Sequence, residues 1–446
     1  MSLYGYKRAT TPNIDKFFKN SFIFKNAYAP ASLTHTDSIS LFFSLAPNTH
    51  RAFRRSRIQR TEEFLKNYKS LATLLNEKGY VTSAFVSDED YEYGWGIGKT
   101  FQSFFDRSSY SDYGIFFKPQ TYSVGTKQLV PVANKWLEKN KDKKFFLFLQ
   151  GYDMHCPYGP NSEFSNLFQS PHSSSIPFET ECFMNIDEFK KRSVNGKNLT
   201  TLQSFFAYRD KSSKEYSFTD DDLSYLVSRY DAELRKADMY LGVLFEQISK
   251  LNLTKNTLIV FMADHGDNLG ENNFFMKSSP TLKGNLHNAN LNFPLVIKIP
   301  GKKSSNKMQE QIVQTIDIAP TILDILEIPT FNKMQGKSLK PSLGNSTEVN
   351  DYAYGFSMRF NLAKYREHAT SYNELEYVQN HQWKLGRSRN YNLPDKKFKK
   401  EEYVLYNLVT DPDEKNNLIS KNIIEKEKLL NVLSERNKFY TRDQRK

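Results

Sequence analysis

Cysteine is nearly absent from this chain. Only Cys156 and Cys182 occur in 446 residues, too few for a disulfide scaffold or a cysteine-built zinc site, and neither sits in a redox or zinc spacing. Both read as ordinary thiols, with a single bridge between them left open. No apolar run is long enough to span a bilayer, and the first residues show no secretory pattern. As written, the chain is expected to be soluble, and the sequons at Asn198, Asn252 and Asn345 to be coincidental. Internal repeats and long low-complexity tracts are also missing, which argues against a repeat array.

What is present is apolar, aromatic and basic. Hydrophobic residues make up 39% and aromatics 14%, with 35 Phe and 26 Tyr. That is ample core material and excludes global disorder. The length predicts one large α/β domain, or a large domain with a smaller one. Sixty-two Lys and Arg against 50 Asp and Glu leave a formal charge of +12. Apart from Lys396, Lys397, Lys399 and Lys400 the lysines are scattered. The charge therefore reads as a solvated basic surface, and no nucleic-acid partner is expected.

The first two-thirds alternates helix and strand signals. Pro12 to Asp15 opens a short amphipathic segment carrying Phe17 and Phe18. Leu65 to Lys78 reads as a helix closed by Gly79, followed by a strand from Tyr80 to Val86. Val130 to Lys139 reads as a helix and Phe145 to Leu149 as a strand. Residues 160–220 are rich in Ser, Asn and Phe and read as an insertion or lid. Leu234, Ala237, Leu241, Leu244, Phe245 and Ile248 follow the three-four spacing of one buried helix face. Thr257 to Ala263 is apolar at nearly every position, which predicts a strand covered on both faces. Phe293 to Ile299 reads as another strand and Thr315 to Leu326 as a helix. Past about residue 345, strand-like stretches from Tyr377 to Leu408 precede a charged helix from Ile423 to Lys438. These features divide the chain into a main domain, 1–345, and a small C-terminal α+β subdomain, 346–446.

The sharpest chemical signal is Asp264-His265-Gly266-Asp267-Asn268-Leu269-Gly270-Glu271, directly after the apolar strand. Ligands gather at the carboxyl ends of strands in open parallel sheets. A carboxylate and an imidazole emerging together there, freed by a glycine, suit a divalent metal. An ordinary strand-end turn with a capping Asp is the competing account.

The stretch TLIVFMADHGDNLGE, Thr257 to Glu271, resembles the signature of the sulfatase family in the alkaline phosphatase superfamily. Further blocks resemble the family in order: Thr11 to Asp15; Tyr230 to Glu233 with Asp238; Asn290 to Gly301; Ile316 to Thr321; Gln335 to Leu339; and Leu405 to Leu408 with Asp411-Pro412 and Asn416 to Leu418. The resemblance implies an α/β fold with a mostly parallel central sheet flanked by helices. It implies a metal-dependent hydrolase or transferase of sulfate or phosphate esters, and an anionic ester partner such as a glycan, lipid headgroup or small molecule. One divalent ion is implied, with Ca, Mg, Mn and Zn not distinguished, and with Asp264 and His265 among its ligands.

Family members carry a Cys or Ser nucleophile, converted to formylglycine, that opens a helix and is followed by Pro and Arg. Anchoring on Ser40-Leu41 and Pro47 puts Thr34 at that position, with Thr36 and Ser38 at the Pro and Arg positions. A formylglycine enzyme is therefore disfavoured. An unmodified Thr nucleophile resembles the phosphoethanolamine and phosphoglycerol transferases of the superfamily. Thr34 would also touch the metal, which lowers the hydroxyl's pKa. A role as helix N-cap is the plainer account of Thr34, and Thr36 is the alternative register.

His155, in Tyr152 to Tyr158 after the Phe145 strand, stands at a strand end; the resemblance implies contact with the transferred or leaving group. Lys283, in Leu282-Lys283-Gly284, resembles a family Lys that would neutralise developing negative charge. Asn292 stands where the transferases have a His, so a second metal is not expected.

The family begins with a buried strand ending in metal-binding acids, before a segment like Leu3 to Tyr6. Here that strand is not in the sequence, and Thr34, Asp264 and His265 alone predict weak metal affinity. A longer chain would supply it, with membrane association or an extracytoplasmic, periplasmic location as corollaries. An inactive sulfatase-fold protein binding an anionic glycan or lipid, and an interaction protein docking through 160–220, are the alternatives.

Overall fold

The computed structural model describes residues 1–53, 61–87, 91, 96–106, 125–155, 158, 164, 166–168, 184–185, 220–275, 286–304, 308–345, 347–362, 369–392 and 395–442. Both cysteines, Lys283 and most of the 160–220 segment lie outside these residues.

The strands in chain order are β1 (Phe22–Tyr28), β2 (Val81–Val86), β3 (Ser103–Phe105), β4 (Phe145–Gln150), β5 (Met184–Asn185), β6 (Ile259–Met262), β7 (Phe274–Phe275), β8 (Leu295–Lys298), β9 (Gln309–Gln314), β10 (Ala353–Leu362), β11 (Ala369–Gln379), β12 (Trp383–Asn392) and β13 (Phe398–Asn407). One sheet, ordered β3-β2-β4, is parallel throughout. A second, ordered β6-β8-β1-β9, is mixed: β8 runs antiparallel to β6 and β1, and β9 runs parallel to β1. β10 to β13 form an antiparallel meander, and β5 pairs with β7. The architecture is mixed α/β with a C-terminal antiparallel sheet and helix.

β6 is covered on both faces as expected, but not along one edge. Its residues are only half-buried, because β6 is an edge strand and pairs on one side with β8. β4 is likewise a half-buried edge of the parallel sheet. Side chains of both edges, Phe146 and Phe148 from β4 and Val260 and Met262 from β6, join the same apolar cluster around Phe24, Phe42 and Leu295. The helix Asp220–Lys250 packs through Leu241 and Ile248 against residues of both strands on the other face. It begins well before the predicted buried face at Leu234.

The predicted helix from Leu65 is two helices, Thr61–Asn67 and Leu71–Asn76. Ser70 restarts the chain as an N-cap, its hydroxyl accepting from the Thr73 amide at 3.0 Å. Gly79 follows at φ +79°, a left-handed conformation that glycine adopts at no steric cost. The helices Thr126–Asn140, Ile318–Ile325 and Ile423–Arg442 stand close to where the periodicity puts them.

The C-terminal helix buries Leu429 and Leu433 against Val378, Leu385 and Leu405 of the meander. The meander meets the main domain at Asn288, which is gripped by a buried ion pair of the C-terminal subdomain. Lys384 Nζ of β12 lies 2.7 Å from Glu414, and both side chains are 2% exposed. Lys384 also donates to Asn288 Oδ1 at 2.9 Å, and Glu414 accepts from the Asn288 amide.

Candidate active site

Thr34 and His265 come together because of strand direction. Phe24 of β1 and Met262 of β6 both lie opposite Leu295 of the intervening antiparallel β8. β1 and β6 therefore run the same way, and their carboxyl ends open on one side of the sheet. The chain leaving β1 turns into the helix Thr34–Phe43, and the chain leaving β6 turns at Asp264 to Gly266.

Thr34 is the first residue of its helix, not the cap. The cap position is Leu33, in extended backbone and without a side-chain bond. The capping work falls to Asp37, whose carboxylate accepts from the Ala31 amide at 3.0 Å and the Leu33 amide at 3.3 Å. The Thr34 hydroxyl lies 3.4 Å from His265 Nε2 in a buried setting. Thr36, the alternative register, donates its hydroxyl to the Ala52 carbonyl at 2.7 Å.

His265 is oriented by its own loop. Its Nδ1 lies 2.8 Å from the Gly266 carbonyl oxygen, which can only accept. Nδ1 therefore carries the hydrogen, and in the neutral ring Nε2 presents its lone pair towards Thr34. Asp264 Oδ1 accepts from the His265 amide at 3.0 Å, while Oδ2 lies 3.5 Å from His265 Nε2. Gly266 is required for this turn. A Cβ there would stand 2.2 Å from the Ala289 carbonyl oxygen and 2.8 Å from that of Asn292.

The donors that meet here are an imidazole nitrogen, a carboxylate oxygen and a hydroxyl, a mixed set suited to a hard or borderline divalent cation. They fit such an ion as one part of a coordination shell. Among the described residues, no group of three or more His, Cys, Asp or Glu stands ready to hold a metal.

His155 stands on the loop after β4, its ring stacked on Tyr152 at a centroid distance of 4.3 Å. The same loop is anchored by Asp153, which accepts from the Thr126 amide at 2.8 Å and its hydroxyl at 3.0 Å. Burial pushes the Asp153 carboxyl up from its ordinary range, and the Thr126 bonds oppose that rise. The structure thus gathers Thr34, Asp264 and His265, and sets His155 at a separate strand end. Lys283 lies outside the described residues.

Three residues near the site carry little or no local sequence signal. Arg359 of β10 donates from one guanidinium nitrogen to the Ser32 carbonyl at 3.0 Å and the Ser32 hydroxyl at 2.8 Å. Tyr377 of β11 donates its hydroxyl to the Ala29 carbonyl at 2.7 Å. Asp37 is the third. Its place three residues after Thr34 is the one hint available, since a side chain in the first helical turn can reach back to free amides.

The sulfatase family model matches residues 1–328. The chain belongs to the sulfatase family. Residues 270–438 match the C-terminal domain model of N-sulphoglucosamine sulphohydrolase. Family members generally use a divalent metal. Curated relatives include arylsulfatase K of Canis lupus familiaris, 26% identical over 65% of this chain and 51% of its own length. N-acetylglucosamine-6-O-sulfatase of Bacteroides thetaiotaomicron is 29% identical over 47% of this chain and 35% of its own length. This sulfatase-family chain thus spans about half or less of the curated relatives it matches. Phosphonate monoester hydrolase of Agrobacterium radiobacter shares the fold at TM-score 0.70 and 18% identity, covering 98% of this chain and 93% of that one. A protein solved in complex with its substrate D-glucosamine-2-N,6-O-disulfate shares it at TM-score 0.66 and 18% identity, covering 99% and 95%. Among the described residues no helix is long and apolar enough to cross a membrane.

Proposed function

We propose that this sulfatase-family chain carries the catalytic chemistry of an ester hydrolase or transferase acting on sulfate or phosphate esters, with Thr34 as nucleophile. The observation that supports it most is the Thr34 hydroxyl turned towards His265 Nε2 at 3.4 Å, rather than capping its own helix.

Asp264 and His265 would hold one divalent cation, with the Thr34 hydroxyl beside it. Bound there, such a cation would lower the pKa of that hydroxyl and offset negative charge on the ester. Thr34 Oγ1 bonds to the sulfur or phosphorus as the bond to the leaving oxygen breaks. His155 gives the leaving oxygen its proton, and Lys283 offsets charge on the non-bridging oxygens. Water or an alcohol then takes the group from Thr34. The His265 Nε2 lone pair would be taken by the cation, so the Thr34 hydroxyl, its pKa lowered, would give its proton to solvent water before Oγ1 attacks. The basic surface, at a formal charge of +12, favours approach of an anionic substrate. A sulfated glycan is the substrate class that the names of relatives support.

The test measures divalent metal per purified chain together with turnover of p-nitrophenyl sulfate and p-nitrophenyl phosphate, for the parent and for Asp264→Ala. Metal and turnover both present in the parent and both lost in Asp264→Ala are the expected outcome. A parent that binds anionic glycans without metal and turns over neither ester is a binding protein, and the proposal fails.

A further inference from the structure

We propose that Arg359 is a positioning residue of this site: from the C-terminal sheet it locks Ser32, and through Ser32 the first turn of the helix that presents Thr34. This rests on the reading of Thr34 as nucleophile.

The residues between β1 and the Thr34 helix, 29–33, belong to no regular element. Their conformation is set by what grips them. The Ala29 amide bonds to the Leu291 carbonyl at 2.8 Å, within the main domain. The next contacts come from the C-terminal sheet: Tyr377 Oη on the Ala29 carbonyl at 2.7 Å, the Phe356 amide on the Pro30 carbonyl at 2.8 Å, and Arg359 twice on Ser32. From the other side, Asp37 holds the Ala31 and Leu33 amides. Thr34 is thus the first residue released from a segment clamped at every step before it.

The fit of the sheet to this segment is close. A Cβ at Gly355 would stand 2.1 Å from the Tyr377 ring and 2.4 Å from the Pro30 carbonyl oxygen, so β10 lies as near as glycine allows. Among the described residues, Arg359 is the charged member of the grip from the sheet. Burial lowers its guanidinium to about 10, with Asp37 opposing the shift. Burying a guanidinium is costly unless its geometry is satisfied. One guanidinium nitrogen, its N–H directions fixed by the planar group, holds both Ser32 oxygens, which the flexible point charge of lysine does not reproduce. The sheet is attached to the main domain elsewhere as well, by Asn288 against Lys384 and Glu414 and by Leu291 and Ile312 packed with Leu375 and Tyr406. Arg359 acts instead on the residue two before the proposed nucleophile, where a displacement of about 1 Å costs on the order of 10²-fold in rate.

The test compares the parent with Arg359→Ala and Arg359→Lys by steady-state kinetics on p-nitrophenyl sulfate and phosphate, thermal melting and crystal structures. Arg359→Ala is expected to lower kcat by about 10²-fold with KM changed less than about threefold, and Arg359→Lys to recover part of kcat. In the Arg359→Ala crystal, the Thr34 hydroxyl is expected to leave its place beside His265. A folded Arg359→Ala with parental kcat and an unmoved Thr34 overturns the inference. If the parent turns over neither ester, the functional reading fails by itself and the crystal comparison alone decides: Thr34 unmoved overturns the positioning role, Thr34 displaced supports it. Should Arg359→Ala not fold, Arg359→Gln is read in the same way.

Discussion

Thr34 Oγ1 and His265 Nε2, 231 residues apart in the chain, lie 3.4 Å apart in the fold. Neither is placed by its own neighbours alone: the pairing needs β1 and β6 to run the same way on either side of β8.

Removing the hydroxyl while keeping the shape separates chemistry from packing. Thr34→Val is expected to fold with little change in melting temperature and to lower kcat by roughly 10³-fold or more. Thr34→Ser, which keeps a hydroxyl, is expected to retain measurable turnover. Parental turnover in Thr34→Val would sink the nucleophile assignment.

Gly266 makes a different prediction, about stability and geometry together. An added Cβ meets backbone oxygens of Ala289 and Asn292, which no rotamer can move aside. Gly266→Ala is expected to cost about 2–4 kcal/mol, read as a lower urea midpoint. Metal content should fall with it, because the His265 ring is held by the Gly266 carbonyl. An unchanged midpoint would mean that the loop relaxes freely.

The Lys384–Glu414 pair is buried on both sides, so its two halves are unequal to the whole. Burial raises the Glu414 carboxyl and lowers the Lys384 ammonium, each opposed by its partner. Glu414→Leu alone strands a buried cation and is expected to cost about 3–5 kcal/mol. The double variant Lys384→Met with Glu414→Leu is expected to recover most of that loss. A double variant no better than the single one would show that the bonds to Asn288 matter more than the pairing.

Asp317 predicts the sign of a pH effect. Its carboxyl is fully buried and accepts from the amides of Gln314 and Lys337 and from the Asn350 side chain. Burial nevertheless raises it to about 6, above the ordinary 3.8. The folded state keeps a proton that the unfolded state has released. The contribution of Asp317 is therefore full below pH 3.8 and is lost as pH rises through about 6, by about 3 kcal/mol at most. The difference in urea stability between the parent and Asp317→Asn should follow that window. A difference flat from pH 4 to 7 would contradict it.

The sequence by itself determined the local elements and the residue types at their ends. The Asp264-His265-Gly266 turn was legible because it follows an apolar run and contains a glycine, both local properties. The helices at Thr126, Asp220, Ile318 and Ile423 were legible for the same reason, since an amphipathic period is written into neighbouring residues. Thr34 could be placed at the start of a helix, but its freedom from capping could not, because that depends on Asp37 reaching back to Ala31 and Leu33. The half-buried state of β4 and β6 was not legible either. An apolar run reads the same in the middle of a sheet as at its edge, and only pairing tells them apart. Arg359 and Tyr377 were least visible of all. Each sits more than 300 residues from the segment it holds, and hydrogen bonds over that separation leave no period or motif in the chain. Only the tertiary structure, by laying the C-terminal sheet against residues 29–32, decided that they bear on Thr34.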